Sequence, residues 1–221
     1  MTVNKNNYEK IITVLHASNT TLVAVSKIKT VSDINALYEL GQKDFGENYV
    51  QELLEKEAAL PKDIRWHFIG HLQSNKVKYI APFVHLIHGV DSEKLLKEID
   101  KQGKKVNRVI NCLLQVHIAQ EETKFGFDTD EVTALVNKVA SKELPLGNVN
   151  ICGLMGMASF SDDMQKVRSE FELLSGLYKT LGKQVPSFNT LSMGMSGDYK
   201  LAIECGSNMV RIGSLLFGAR I

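Results

Sequence analysis

The chain has 221 residues, of which 44% are hydrophobic and 23% charged, and its formal net charge is +1. These values are typical of a globular protein with one sizeable core, and so small a net charge excludes a field strong enough to recruit nucleic acid. The polar N-terminus predicts no signal peptide, and no stretch approaches the ~18 apolar residues of a membrane span, so we expect a cytoplasmic protein that does not contact membranes.

Apolar, β-branched segments alternate with helix-like segments along the chain. Eight strands are predicted, at residues 22–26, 44–46, 65–70, 84–90, 109–118, 149–155, 187–191 and 209–212. Amphipathic sequence fills most of the gaps, and Ser32 and Asp33 are predicted caps of the first helix after strand one. Strands separated by helices pair in parallel, and eight such units close a (β/α)8 barrel. An open doubly wound sheet is the alternative architecture.

The chain shows no sign of division into parts. It has only four prolines, and no linker rich in proline, glycine or serine interrupts it, so we expect one domain over residues 1–221. The three cysteines, Cys112, Cys152 and Cys205, are far apart and lack C-x-x-C spacing. We interpret them as buried or idle thiols of a reducing compartment.

Small and hydroxyl residues follow the last two predicted strands. Residues 189–198 read Asn-Thr-Leu-Ser-Met-Gly-Met-Ser-Gly-Asp, and the eighth strand leads into Gly213 and Ser214. In (β/α)8 barrels the loops after strands 7 and 8 commonly hold phosphate, and backbone N–H groups at a helix start suit an anion. The loops therefore predict a phosphate site. Alternatively they are turn and cap residues, with Ser196 or Asp198 capping the next helix.

Two kinds of cationic side chain occur at predicted strand ends. Lys27 follows the run Leu-Val-Ala-Val-Ser, where partial desolvation would lower the pKa of an amine and allow it to attack an aldehyde. Lys29 would share its face if the strand continued, and either lysine could simply extend its ammonium into solvent. Arg211 interrupts the apolar run Met-Val-Arg-Ile, where it could bind a ring nitrogen, a phosphate or a carboxylate, or pair with a buried acid.

Other chemistry-bearing motifs are missing. His67 and His71 are four residues apart, but Gly70 lies between them and no H-E-x-x-H pattern forms, so no metal site is predicted. The chain contains no G-x-x-x-x-G-K-[ST] loop, no G-x-S-x-G elbow and no G-x-G-x-x-G after a strand.

Six separated motifs, in the same order, closely resemble the YggS/PROSC family of pyridoxal 5′-phosphate (PLP) homeostasis proteins. They are V-S-K-I-K at 25–29, F-G-E-N-Y-V-Q-E at 45–52, W-H-F-I-G at 66–70 with L-Q-S-N-K at 72–76, G-L-M-G-M at 153–157, L-S-M-G-M-S-G-D at 191–198 and V-R-I-G at 210–213. The resemblance runs from about Leu22 to Arg220. It implies a single TIM barrel like the N-terminal domain of the alanine racemases, the type III fold of PLP proteins.

The resemblance also implies roles for individual residues. Lys27 would form the Schiff base with PLP, and Arg211 would face the pyridine nitrogen. The remaining cofactor-binding residues implied by the family are Asn48 and Met155 near the ring, Ser192, Gly213 and Ser214 at the phosphate, and Met193. His67 and Ser196 belong to the same motifs. No catalytic residue and no metal ligand is implied.

The resemblance implies a protein that stores or carries PLP inside the cell and turns over no substrate. A permanent cation at the pyridine nitrogen would keep it unprotonated and weaken PLP as an electron sink. Few residues follow the eighth strand, so we expect no second domain and a monomer, with transient contacts to PLP-dependent apoenzymes. The alternatives are a PLP-dependent amino acid racemase-like enzyme, and a barrel for another phosphorylated metabolite that would leave Lys27 without a purpose.

Overall fold

The computed structural model describes residues 3–119 and 125–218. In these ranges eight parallel strands close a barrel in chain order. They are β1 Thr21–Val25, β2 Asp44–Glu47, β3 Arg65–Phe68, β4 Leu86–Val90, β5 Ile110–Val116, β6 Val149–Gly156, β7 Thr190–Ser192 and β8 Met209–Ile212. Because β8 pairs with β1, from Thr21 opposite Met209 to Ala24 opposite Ile212, the predicted (β/α)8 barrel is confirmed and the open sheet was the wrong alternative.

The helices that pack around the strands also follow the predicted alternation. They are α1 Lys5–Ala17, α2 Val31–Glu39, α3 Val50–Ala59, α4 Val77–Ile80, α5 Glu93–Lys105, α6 Thr129–Ala140, α7 Met164–Leu181, α8 Tyr199–Glu204 and α9 Ser214–Phe217. No helix among the described residues is long and apolar enough to cross a membrane.

At two helices the N-cap in the structure differs in detail from the one that the sequence predicts. Thr30, which precedes the predicted caps Ser32 and Asp33, is the N-cap of α2, and it shares a capping box with Asp33. A threonine at this position satisfies the Asp33 amide, while the Asp33 carboxylate accepts from the Thr30 amide. Asp198 is the N-cap of α8 but makes no side-chain cap bond, since its Oδ1 accepts from the Met195 amide.

The alternation of side chains along each strand separates two cores. The larger core lies between the sheet and the helices and includes Leu22, Phe45 and Leu191. A smaller core inside the barrel consists of Val23, Leu86, Leu113, Cys152, Met155 and Met209. All three cysteines are buried with free thiols, as predicted. The interior is thus filled by side chains, and any ligand must bind at the mouth formed by the carboxyl ends of the strands.

Candidate functional site

The structure separates the two lysines that the sequence left as alternatives. Lys27 lies just beyond β1, and the strand alternation places it on the face of Val23, which belongs to the barrel interior. It is half-buried at the mouth. Lys29 does not share this face, because its Nζ donates to the Phe217 carbonyl oxygen at 3.2 Å and lies over the Phe217 ring. Lys27 is therefore the lysine that the fold places at the mouth.

A buried ion network supports the turn that carries this lysine. Lys56 Nζ donates to the Ser26 carbonyl oxygen at 2.7 Å, to Glu47 Oε1 at 2.8 Å and to Glu52 Oε1 at 2.6 Å. Glu52 Oε1 also accepts from the Ile28 amide. Ile28 has a φ of +63°, which is a strained conformation for a β-branched residue and persists only where the surroundings impose it. The network thus holds the turn in one conformation.

Glu47 is the anionic centre of this network, and its role could not be predicted from the sequence motifs. Its side chain is fully buried, and burial raises the pKa of Glu47, while Lys56 and the Ser26 hydroxyl act in the opposite direction. Glu47 faces the helices rather than the barrel interior, since Phe45, two residues before it, packs in the outer core. Glu47 therefore supports the turn from behind, and its Oε2 is buried without a hydrogen-bond partner among the described residues.

Arg211 projects from β8 into the barrel and is almost fully buried. Its Nη1 donates to Ser192 Oγ at 2.6 Å and to the Ser192 carbonyl oxygen at 2.9 Å, while Nη2 donates to the Gly156 carbonyl oxygen at 3.0 Å. Burial lowers the pKa of Arg211 to about 10, with Asp198 acting in the opposite direction, so the guanidinium stays cationic at neutral pH. Its hydrogen bonds go to carbonyl and hydroxyl oxygens rather than to a carboxylate.

A line of polar side chains continues from Ser192 through the interior towards the amino ends of the strands. Ser192 Oγ lies 3.2 Å from His88 Nδ1, His88 Nε2 lies 2.9 Å from His67 Nδ1, and His67 Nε2 lies 3.0 Å from Asp44 Oδ1. Both Asp44 oxygens also accept from Arg65. Sequence reasoning missed His88 and Asp44, although a polar residue at an inward-facing strand position is a usable signal.

Asp44, His67 and His85 offer potential metal ligand atoms within 4.8 Å of one another. Both oxygens of Asp44 are already bound by Arg65, and both ring nitrogens of His67 are hydrogen-bonded. His71 lies outside this cluster and pairs with Asp91. We therefore propose no metal ion here.

The two loops predicted to hold phosphate meet in space. The Gly213 amide donates to Ser196 Oγ at 3.3 Å, which joins the loop after β8 to the loop after β7. Ser214 and Leu215 form the first turn of α9, where backbone N–H groups have no acceptor within the helix. Ser214 is exposed, so an anion can reach these donors. Ser192, in contrast, directs its hydroxyl towards the interior.

Three other predicted residues occupy different environments. Asn48 follows β2 at the mouth, and its Oδ1 is buried without a hydrogen-bond partner among the described residues, so it suits a ligand that can donate to it or pack against it. Met155 lies in the interior core. Met193 is fully buried in the outer core, so its side chain does not face the interior and only its backbone is available to the loop after β7.

A cleft of 530 Å³ adjoins the mouth at Asn48 and is lined also by Tyr49, His71, Lys76 and Tyr79. Its volume falls in the usual range for small-molecule sites. The mouth therefore combines an accessible lysine, an unsatisfied amide oxygen, a buried cation and a loop pair suited to an anion. A small anionic ligand with an electrophilic carbon fits this set of groups.

Comparison with known proteins identifies the family to which the chain belongs. The family model for the N-terminal domain of alanine racemase matches residues 4–221. A pyridoxal phosphate homeostasis protein of Pasteurella multocida is 39% identical over 204 residues, which cover 90% of this chain and 86% of that protein. The human protein of the same name is 40% identical over 213 residues, covering 90% of this chain and 76% of its own length.

A solved structure also matches over nearly the whole chain. The structure of PipY from Synechococcus elongatus with PLP bound superposes with a TM-score of 0.83 at 32% identity and covers 95% of this chain and 99% of that chain. The N-terminal barrel of an alanine racemase from Bartonella henselae shares only the fold, with 18% identity and a TM-score of 0.69.

Proposed function

Because the chain belongs to the family of pyridoxal phosphate homeostasis proteins, which share the alanine racemase N-terminal domain, we propose that it binds PLP at the barrel mouth and stores or delivers it without turning over a substrate. The observation that carries the proposal is the position of Lys27 at the mouth of a barrel whose interior holds the buried cation of Arg211. The relatives are named for homeostasis rather than for a catalysed reaction.

The residues at the mouth fit the chemical groups of PLP. Lys27 would bind the aldehyde carbon as a Schiff base, with loss of water, and PLP supplies the aldehyde for this bond. The phosphate would bind at Gly213 and Ser214. The loop after β7, which follows Ser192 and starts with Met193, would contribute to the same site. Asn48 and Met155 would line the ring, and Arg211 would face the pyridine nitrogen.

Arg211 favours storage over catalysis. A guanidinium cannot accept a proton and stays cationic, so it keeps a facing pyridine nitrogen unprotonated. The ring is then a poor electron sink, and carbanion chemistry at a bound amino acid is disfavoured. A racemase-like enzyme remains the second candidate function, since the same barrel occurs in alanine racemases.

We further propose a monomeric, cytoplasmic, single-domain protein that contacts PLP-dependent apoenzymes transiently at the mouth. Large apolar side chains are exposed on loops that follow different strands, among them Ile28 at 69%, Tyr49 at 58% and Phe160 at 101%. We propose that these side chains together form the contact surface for the apoenzyme. Phe160→Ser should slow PLP transfer to an apoenzyme and leave PLP affinity unchanged, and equal transfer rates would contradict the contact.

The Schiff base is tested by spectroscopy with a matched lysine control. Protein incubated with PLP should develop the absorbance band of a Schiff base, and borohydride should fix the cofactor on the peptide that contains Lys27. Lys27→Ala should abolish both results, whereas Lys29→Ala should preserve them, because Lys29 is held at α9. Failure of the unmodified protein to take up PLP would refute the proposed function.

Storage and catalysis are separated by proton exchange. The PLP-loaded protein is incubated with L-amino acids in deuterated water, and the α-proton is followed by NMR. We expect no sustained exchange, because Arg211 disfavours the carbanion. Exchange at turnover rates would instead establish the racemase-like function.

A further inference from the structure

The polar line through the barrel interior connects the mouth with the opposite end of the barrel. It runs from Arg211 through Ser192, His88 and His67 to Asp44. We propose that His67 and His88 are positioning residues, which, as neutral imidazoles, transmit one fixed hydrogen-bond direction from Arg211 to Asp44 and thereby lock the guanidinium in place. The inference rests on the proposed function only for the identity of the ligand that Arg211 faces.

The two ends of the line determine its direction. Arg211 has only N–H donors and can never accept a hydrogen bond. Burial alone would raise the pKa of Asp44, but hydrogen bonds from Arg65 and His67 outweigh this effect and lower it to about 2. Asp44 is therefore ionised at neutral pH and can only accept. The line must therefore begin with a hydrogen bond donated by Arg211 and end with one accepted by Asp44.

With both imidazoles neutral, the three inner residues have a single consistent arrangement. His67 must donate from Nε2 to Asp44, so its Nδ1 accepts when the ring is neutral. His88 consequently donates from Nε2 to His67 and accepts at Nδ1 from the Ser192 hydroxyl. With its proton directed to His88, Ser192 offers its lone pairs to Arg211. Each of the four hydrogen bonds in the line then joins one donor to one acceptor.

The opposite direction would require an additional buried proton. With His67 charged, His67 Nδ1 would donate to His88, and His88 Nδ1 would then donate to Ser192, leaving the serine proton to find another acceptor. The charged groups around His67 are the carboxylate of Asp44 and the guanidinium of Arg65, and the imidazoles of His85 and His88 also pack against it. His88 is fully buried, and burial together with His67 and Arg211 lowers its pKa well below the usual value. A second proton on His88 is therefore disfavoured, so the reverse direction could be reached only with a charged His67, which proton–nitrogen correlation spectra detect.

The arrangement explains how Arg211 can hold a fixed position although the hydrogen bonds that it donates to Ser192 and Gly156 go to carbonyl and hydroxyl oxygens rather than to a carboxylate. Two of its acceptors are backbone carbonyl groups, and the third is a hydroxyl whose rotation His88 restricts. Removing His88 would free the hydroxyl to rotate and to donate its proton towards the mouth. A hydroxyl proton directed at Arg211 Nη1 would oppose the 2.6 Å contact with Ser192 Oγ, which is the shortest hydrogen bond of Arg211.

The protonation pattern is measured directly on the protein without PLP. Proton–nitrogen correlation spectra of nitrogen-15-labelled protein distinguish protonated from bare ring nitrogens. We expect His67 and His88 each to carry one proton, on Nε2, at neutral pH. A doubly protonated His67, or a His88 protonated on Nδ1, would overturn the proposal. This measurement does not depend on PLP binding, so it stays informative if the proposed function fails.

Two substitutions at His88 then separate positioning from packing. His88→Asn retains an acceptor for the Ser192 hydroxyl, whereas His88→Leu fills the apolar space and accepts nothing. Positioning predicts roughly tenfold weaker PLP binding and a shifted absorbance maximum for His88→Leu, with His88→Asn close to the unmodified protein. A purely structural role predicts the reverse order, because leucine suits a buried site better than asparagine, and that order would overturn the proposal.

Cys152→Ala is the matched control for these variants. Cys152 is buried in the same interior core but takes no part in the polar line. Its substitution should leave the absorbance maximum of bound PLP unchanged. A shift as large as that of His88→Leu would show that any interior cavity perturbs the site, which would overturn the assignment to His88.

Discussion

Ser192 and Arg211, which lie on neighbouring strands, are joined twice, since Arg211 Nη1 donates both to the hydroxyl and to the carbonyl oxygen of Ser192. The pair couples the loop after β7 to the cation inside the barrel. Neither contact depends on a ligand. The cation is therefore preorganised before any cofactor binds, which reduces the entropy that binding would otherwise cost.

Ser192→Ala should destabilise the fold and weaken PLP binding. It removes an acceptor from a buried cation, and a lost hydrogen bond to a charged group costs about 1.5–3 kcal/mol. The free energy of unfolding from urea titration measures the change. Ser207→Ala is the control, because Ser207 is buried but its hydroxyl contacts only neutral carbonyl groups, so its loss should cost about 1 kcal/mol. An equal loss of unfolding free energy in the two variants would contradict the conclusion that the charge of Arg211 makes the Ser192 hydrogen bond the stronger one.

Lys56→Met should destabilise the protein by about 3–5 kcal/mol, because it leaves the buried carboxylate of Glu47 without its cation. The double variant Lys56→Met with Glu47→Leu should recover most of this loss, since both charges are then absent. Guanidinium denaturation of the unmodified protein, the single variant and the double variant measures the difference in unfolding free energy. Lys5→Met, which breaks only the exposed pair with Glu9, should change stability little. A double variant as unstable as the single one would be inconsistent with this account.

Acid should remove the stability that Asp44 contributes. The pKa of Asp44 falls from 3.8 to about 2 on folding, so its contribution is complete above pH 3.8 and is lost as the pH falls towards 2. The contribution amounts to about 2 kcal/mol. The free energy of unfolding measured from pH 6 to pH 2 should show this loss, and Asp44→Asn should lack it. Burial raises the pKa of Glu47, which acts with the opposite sign, so only the comparison with Asp44→Asn isolates the effect.

Gly153→Ala should disrupt the junction of β6 and β7. Gly153 has a φ of +151°, and a Cβ there would lie 1.8 Å from the Thr190 carbonyl oxygen. We expect a loss of at least about 2 kcal/mol by thermal denaturation, from strain and displaced backbone. Gly176→Ala in α7 is the control, because a Cβ there meets nothing within 4 Å and should stabilise the helix. A stable Gly153→Ala protein would show that the strands can separate at this point.

The strands could be predicted from sequence because their signal is local. Predicted bounds agree with β8 completely and with β1, β2 and β6 within one residue. The predicted seventh strand began three residues early, since Ser187 donates its hydroxyl to the Ile151 carbonyl oxygen in a turn before β7. Such contacts between distant residues are invisible to a pattern of neighbouring side chains.

The sequence by itself determined the alternation of strands and helices, the parallel barrel and the family, because hydrophobic periodicity and contiguous motifs are properties of neighbouring residues. Only the tertiary structure decided between Lys27 and Lys29, since the turn at Ile28 ends the alternation of β1 and Phe217 binds Lys29. It also brought His88 and Asp44 into one line with Arg211. The physical reason is barrel closure, which places inward-facing side chains from strands far apart in sequence within hydrogen-bonding distance of one another.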